Sequence, residues 1–81
     1  VDASNIVVET IKPCEDSERA FIVRLYEAEG TRTHASVQLG FAPKAVEETN
    51  MLEEHTADLP AAANFRLTFR PFEIKTVKVS Y

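Results

Sequence analysis

The segment FRLTFRPFEIKTVKVSY, residues 65–81, carries the clearest β-strand signal in the chain. Phe65, Leu67 and Phe69 alternate with polar residues, so a strand here presents one apolar and one polar face. Pro71 has no amide hydrogen for a sheet ladder and therefore marks a break between two strands or an edge position. Two strands cannot bury this apolar face alone, so the upstream chain must supply strands that pack against it.

The second strand of this segment changes its apolar phase partway along. Phe72 and Ile74 share one parity, whereas Val77 and Val79 lie on the other. A shift by one residue predicts either a β-bulge near residues 75–76 or a strand that is buried on both faces at its end.

Three further strands are predicted upstream, over residues 5–12, 20–28 and 33–41. The charged segment 13–19 contains Pro, Asp and Ser and reads as a loop. The short link at 29–32 contains Gly30, which can adopt positive φ, so the second and third strands are predicted to form a hairpin.

The segment 45–54 is ambiguous, because its Glu, Met and Leu favour a helix while the neighbouring strands favour a β conformation. Residues 56–64 then read as a long connection to the closing strands.

These elements predict an all-β domain, a small antiparallel β-sandwich of about six to seven strands over residues 1–81. The shared core is predicted to contain the inward-facing apolar residues of four strands: Phe21, Val23, Leu25, Val37, Leu39, Phe41, Phe65, Leu67 and Phe69.

The composition limits the classes of function. With 13 acidic and 9 basic residues the formal charge is −4, which argues against a nucleic-acid partner because no basic stripe is present. No apolar run approaches the roughly 20 residues of a membrane helix. The chain starts at Val1, without an initiator Met or signal segment, so we expect it to be part of a longer protein. The single cysteine, Cys14, excludes an internal disulfide and favours a reducing, cytoplasmic location.

The candidate metal ligands are His34, His55, Cys14 and Asp58. Their spacing matches no metal-binding motif, so surface histidines are the favoured interpretation and no metal site is predicted. Cys14 also lies in an acidic loop, which disfavours the reactive thiolate. We therefore predict no catalytic, cofactor-binding or metal-binding residue in this chain.

Paired carboxylates are the remaining candidates for catalysis. Glu47–Glu48 and Glu53–Glu54 are adjacent pairs, and Glu27 and Glu29 share a strand face. A glycosidase needs two carboxyl groups across a cleft, but adjacent strand residues point to opposite faces. We interpret these glutamates as a solvated acidic edge.

The aromatic residues are assigned mainly to the core, because most of the phenylalanines lie on inward parities and the chain has no Trp. Tyr26, on the opposite parity to Phe21 and Leu25, stays open as a sugar-stacking residue.

Four blocks, in this order, resemble one family: VETIK at 8–12, FIVRLYEA at 21–28, AVEETNMLE at 45–53 and FRPFEIKTVKV at 69–79. Together they resemble the C-terminal β-sandwich domain of glycoside hydrolase family 38, the α-mannosidases, and are most similar to the bacterial type. The resemblance extends over about residues 6–79. It implies that residues 46–53 form a strand, against their helical propensity.

The resemblance also implies a role. Family members hydrolyse α-mannosidic bonds with retention, using an aspartate nucleophile and a zinc ion that belong to a large N-terminal catalytic domain. Nothing in this sequence matches those motifs, so neither the zinc nor the nucleophile is carried onto any position here. The expected partners are other domains of the same chain, against which this domain packs to support the sugar-binding cleft. An independent carbohydrate-binding module is the alternative. An immunoglobulin-like adhesion domain is disfavoured, because this sequence lacks the Cys…Trp…Cys core of such domains.

Overall fold

A computed structural model describes residues 1–14, 19–50 and 55–81 of the chain. These residues form seven strands, which we number in chain order: β1 (Ile6–Pro13), β2 (Ala20–Glu27), β3 (Thr33–Gln38), β4 (Ala45–Thr49), β5 (His55–Leu59), β6 (Asn64–Phe69) and β7 (Ile74–Ser80). None of the described residues lies in a helix with the length and apolarity that a membrane span requires.

The strands form two antiparallel sheets, which confirms the predicted all-β sandwich. Five strands make one sheet in the order β1-β2-β7-β4-β5, and β3 pairs with β6 in the other. One cluster of buried side chains contains residues of both sheets, so the sheets pack face to face. The strands β2 and β7 are central in the larger sheet, and their apolar content follows from that position.

The alternation in residues 65–69 is confirmed. Phe65, Leu67 and Phe69 are buried, and the polar residues between them are exposed. Of the nine predicted core residues, six are buried: Val23, Leu25, Val37, Phe65, Leu67 and Phe69. Phe21 and Leu39 are partly buried and pack against this cluster. Phe41 is 38 % exposed, because β3 ends at Gln38 and the ring lies beyond the covered part of the sandwich.

The predicted hairpin between the second and third strands is wrong. β2 pairs with β1 and β7, whereas β3 pairs with β6 in the other sheet. The link at 29–32 therefore crosses from one sheet to the other. This link resembles a hairpin turn in composition, because Gly30 adopts positive φ here as a glycine in a hairpin turn does.

The predicted bulge at 75–76 is also wrong, and the alternative of burial on both faces is correct. β7 pairs with β2 and β4 without a register shift, and Thr76 and Val77 are both buried. The apolar phase changes because Ile74 is an apolar residue on the outer face, where it is paired with Tyr26, whereas Val77 and Val79 lie on the inner face. Register shifts occur instead in the β1–β2 pair, where Glu9 of β1 is the extra residue, and in the β4–β5 pair, where Thr56 of β5 is the extra residue.

The segment 45–54, whose sequence allows a helix or a strand, begins as a strand, since β4 covers Ala45–Thr49. The predicted strand residues 51–53 lie outside the described residues. The predicted connection at 56–64 is wrong in its first part, because β5 covers His55–Leu59 and pairs with β4. β5 is a mostly polar edge strand with little apolar surface to bury, so its sequence carries almost no strand periodicity.

Candidate functional site

Glu27, the last residue of β2, has a side chain that is almost completely buried, with 1 % exposure. One carboxylate oxygen accepts hydrogen bonds from the backbone amides of Gly30 (2.6 Å), Thr31 (3.0 Å) and Phe72 (2.9 Å). The other accepts from the amide of Glu29 (2.9 Å) and from Nδ2 of Asn5 (2.8 Å). This carboxylate thus joins β2 to the turn that follows it, to the turn before β7 and to the start of β1.

Burial of the Glu27 carboxyl favours its neutral form, but the hydrogen bonds from Phe72, Asn5, Glu29 and Thr31 favour the charged form more strongly. Together they lower the pKa of Glu27 from 4.5 to about 2. A carboxylate that holds five donors and has so low a pKa is a poor acid or base. We assign it a structural role, although perturbed pKa values are often a mark of functional sites.

Two unusual backbone conformations shape this region. Gly30 has φ of 77° and Phe72 has φ of 60°, and the Phe72 ring lies where a Cβ on Gly30 would stand, with 2.7 Å between them. The Glu27 carboxylate gathers the amides of both turns. The interpretation of Glu27 as a solvated acidic residue is therefore wrong, because the paired turns enclose its side chain.

Glu47 and Glu48 point to opposite faces of the larger sheet, as predicted for adjacent strand residues. Glu48 contacts Lys75, whose Nζ lies 2.5 Å from Oε1, while Glu47 contacts Lys78 at 3.7 Å. The two glutamates therefore cannot act together across a cleft. The pair Glu53–Glu54 lies outside the described residues.

Three potential metal ligands meet on the outer face of the β4–β5 edge. Nε2 of His55 lies 2.9 Å from Oδ1 of Asp58 and 3.7 Å from Oε2 of Glu47. One ligand atom from each of the three residues falls within 4.8 Å of the other two. The sequence named His55 and Asp58 as candidates but not Glu47, which only the pairing of β4 with β5 brings to them.

The other two candidate ligands are not part of this group. Nδ1 of His34 lies 3.0 Å from Oγ1 of Thr68, across the β3–β6 pair. Cys14 is buried in a small cluster with Ala20 and Ile22. Its backbone amide donates to the carbonyl of Ala20 at 3.0 Å, next to the Pro13–Phe21 pair of β1 and β2.

Three aromatic rings form an exposed cluster at one end of the sandwich. The centroids of Phe21, Phe41 and Tyr81 lie 6.0 to 6.3 Å apart, and the rings are inclined to one another by 38° to 82°. Together they line a shallow depression with an entirely apolar surface. The guanidinium of Arg19 lies 5.7 Å from the Tyr81 ring centroid, and its Nε donates to the Tyr81 carbonyl.

This aromatic cluster was missed at the sequence level, because Phe21 and Phe41 were assigned to the core. Tyr26, the candidate for sugar stacking, is half-buried and lies opposite Ile74 on the outer face. Its neighbour on that face, Arg24, donates from Nε to Oγ1 of Thr76 at 3.3 Å. The exposed aromatic surface is thus formed by Phe21, Phe41 and Tyr81 and does not include Tyr26.

Comparison with known families identifies one match, to the model described as the glycosyl hydrolases family 38 C-terminal beta sandwich domain, over residues 5–77. The matched region contains all of the strands except the last part of β7. Neither the curated proteins nor the solved structures include a significant match to the chain.

Proposed function

Because the chain belongs to the C-terminal β-sandwich domain family of the family 38 glycosyl hydrolases, we propose that it is a non-catalytic domain that packs against the catalytic part of an α-mannosidase-like chain. A C-terminal domain of such hydrolases implies other domains of the same chain. In this proposal the parent hydrolyses α-mannosidic bonds, and its zinc and nucleophile are supplied by another domain. No residue of this chain is assigned to either.

The observation that carries the proposal is the aromatic cluster of Phe21, Phe41 and Tyr81. Phe41 and Tyr81 are 38 % and 43 % exposed, although aromatic rings are among the side chains that gain most from burial. The cluster offers no polar lining, and the nearby Arg19 adds a residue type that is enriched at interfaces. A surface of this kind fits a protein partner, and the partner that family membership supplies is the rest of the same chain.

The alternative, an independent carbohydrate-binding module, also draws on these exposed rings. Binding sites for small ligands combine apolar walls with a few placed polar groups that fix the ligand's orientation. Here the rings are inclined by up to 82° and present no common flat face, and the depression they line has no polar surface. These two features favour docking of a protein surface over stacking of a sugar ring.

The docking role is tested by substituting Phe41 with Ser in the intact polypeptide that carries this domain and in the 81-residue chain alone. We expect the variant to lower the thermal midpoint and the mannosidase activity of the intact polypeptide by more than it lowers the midpoint of the isolated chain. Phe72→Ser is the matched control, because Phe72 is more exposed, at 68 %, and lies outside the cluster. Equal losses in both contexts would contradict docking through this surface.

The alternative is tested by titrating the 81-residue chain with mannose and α-mannobiose, with amide chemical shifts as the readout. We expect no saturable shifts and no hydrolysis of an α-mannoside. Saturable shifts centred on Phe41 and Tyr81 would overturn the proposal in favour of a sugar-binding module.

A further inference from the structure

The edge formed by β4 and β5 carries a group of side chains that the docking role does not use. Glu47 and Asp58 are directly opposed across the two strands, and His55 lies at the start of β5 on the same face. All three point away from the core. The side chains of His55 and Asp58 are 51 % and 88 % exposed, so an ion in solution can reach them without any change in the fold.

The spacing of the ligand atoms is close to that of a metal site. In a tetrahedral site with bonds of about 2.0–2.2 Å to nitrogen and oxygen, ligand atoms lie about 3.4 Å apart. Nε2 of His55 is 2.9 Å from Oδ1 of Asp58 and 3.7 Å from Oε2 of Glu47. The ligand atoms of Glu47 and Asp58 lie within 4.8 Å of each other, so rotation of the side chains by about an ångström brings all three atoms to bonding distance of one cation.

The local charges also favour a cation. Like charges directly opposite each other across two strands are destabilising, and Glu47 and Asp58 are such a pair. Lys78 offsets part of this repulsion, and its Nζ lies 3.7 Å from Oε1 of Glu47. The other oxygen, Oε2, is the one nearest to the imidazole. Lys78 therefore pairs with a different oxygen of Glu47 from the one that faces His55.

From this geometry we propose that Glu47, His55 and Asp58 form a surface site for a divalent transition-metal ion such as Zn²⁺. One imidazole and two carboxylates suit such ions, whereas Mg²⁺ prefers oxygen ligands alone. Without the metal, the 2.9 Å contact is a hydrogen bond from Nε2–H to Asp58. With it, the neutral imidazole carries its proton on Nδ1, and Nε2 binds the ion. Water completes the coordination on the solvent side.

The test is a calorimetric titration of the 81-residue chain with Zn²⁺, followed by imidazole ¹⁵N shifts. We expect one saturable site, a shift of Nε2 of His55, and a signal that about tenfold excess Mg²⁺ does not displace. H55Q and D58N are each expected to weaken binding by at least about tenfold, since each removes a ligand. Both positions are exposed, so these variants keep the fold, which circular dichroism verifies.

Two matched controls separate this site from unspecific binding. H34Q removes the other histidine of the chain, which is exposed and lies on the smaller sheet. E29Q removes an exposed carboxylate outside the group. Both are expected to bind Zn²⁺ as the unchanged chain does. The absence of saturable binding, binding that survives H55Q, or binding that is lost in H34Q would each overturn the proposal. None of these outcomes bears on docking through the aromatic cluster.

Discussion

Phe69 is the largest fully buried side chain in the described part of the protein, and its truncation gives the sharpest test of how the two sheets hold together. The ring belongs to β6 of the smaller sheet. Nζ of Lys75, on β7 of the larger sheet, lies 6.0 Å from its centroid. Replacing Phe69 with Ala therefore removes a ring from between the sheets and leaves a cavity there.

The magnitude follows from this burial. A buried Phe→Ala substitution costs about 3–5 kcal/mol. A domain of 81 residues has a total free energy of unfolding of about 4–12 kcal/mol, at about 0.05–0.15 kcal/mol per residue. The Phe69→Ala variant is thus expected to lose at least about a quarter of its free energy of unfolding at 25 °C, and all of it at the lower end of this range. Phe69→Leu, which keeps most of the apolar volume, is expected to cost about 1–2 kcal/mol and gives a measurable intermediate value.

The assay is urea unfolding of the 81-residue chain, followed by circular dichroism. Phe72→Ala is the control, because it deletes the same atoms from a ring that is 68 % exposed. Because only about a third of the Phe72 side chain is buried, Phe72→Ala is expected to lower the free energy of unfolding by less than about 1 kcal/mol. If Phe69→Ala lowered the free energy of unfolding by no more than Phe72→Ala, the assignment of Phe69 to the core between the sheets would be refuted.

Three further predictions concern Glu27, Gly30 and Cys14. In the folded chain the pKa of the Glu27 carboxyl is lowered to about 2, so the stability that it contributes is present above pH 4.5 and is lost as the pH falls from 4.5 towards 2. The urea midpoint of the unchanged chain should fall over that pH window, and the midpoint of Glu27→Gln should fall less steeply. At neutral pH, Glu27→Gln should be less stable than the control Glu29→Gln. Gly30→Ala should lower the free energy of unfolding in urea by at least about 1–2 kcal/mol, because the residue has positive φ and its new Cβ would collide with the Phe72 ring. Adding Phe72→Ala to this variant should remove the collision but not the cost of positive φ. Cys14 is buried, so an aromatic disulfide reagent should modify it rapidly in urea but slowly in the native chain; equal rates would show that the thiol is accessible.

The local patterns in the sequence were reliable wherever burial on one face controls the choice of residue. The alternation of Phe65, Leu67 and Phe69 identified both the strand and its buried face, because a period of two is visible without knowledge of any partner. The opposite orientation of Glu47 and Glu48 follows from the same rule. The edge strand β5 was missed because it has little apolar surface to display.

The candidate sites depended on contacts between distant segments. Glu27 looks like any charged residue at a strand end, and only the meeting of the turns at Gly30 and Phe72 turns it into a buried anchor with five hydrogen bonds. The aromatic cluster likewise joins residues that are 20 to 60 positions apart.

By itself, then, the sequence determined that the protein is an all-β sandwich and which face of its closing strands is buried, since side-chain alternation is a local property of the backbone. It also carried enough of the family's blocks to indicate the family 38 C-terminal domain, which the match over residues 5–77 confirms. Only the tertiary structure decided that β2 pairs with β7 while β3 crosses to β6, and that Glu47 meets His55 and Asp58. Strand order and side-chain clusters are non-local, because they depend on which segments pack together once the whole core is formed.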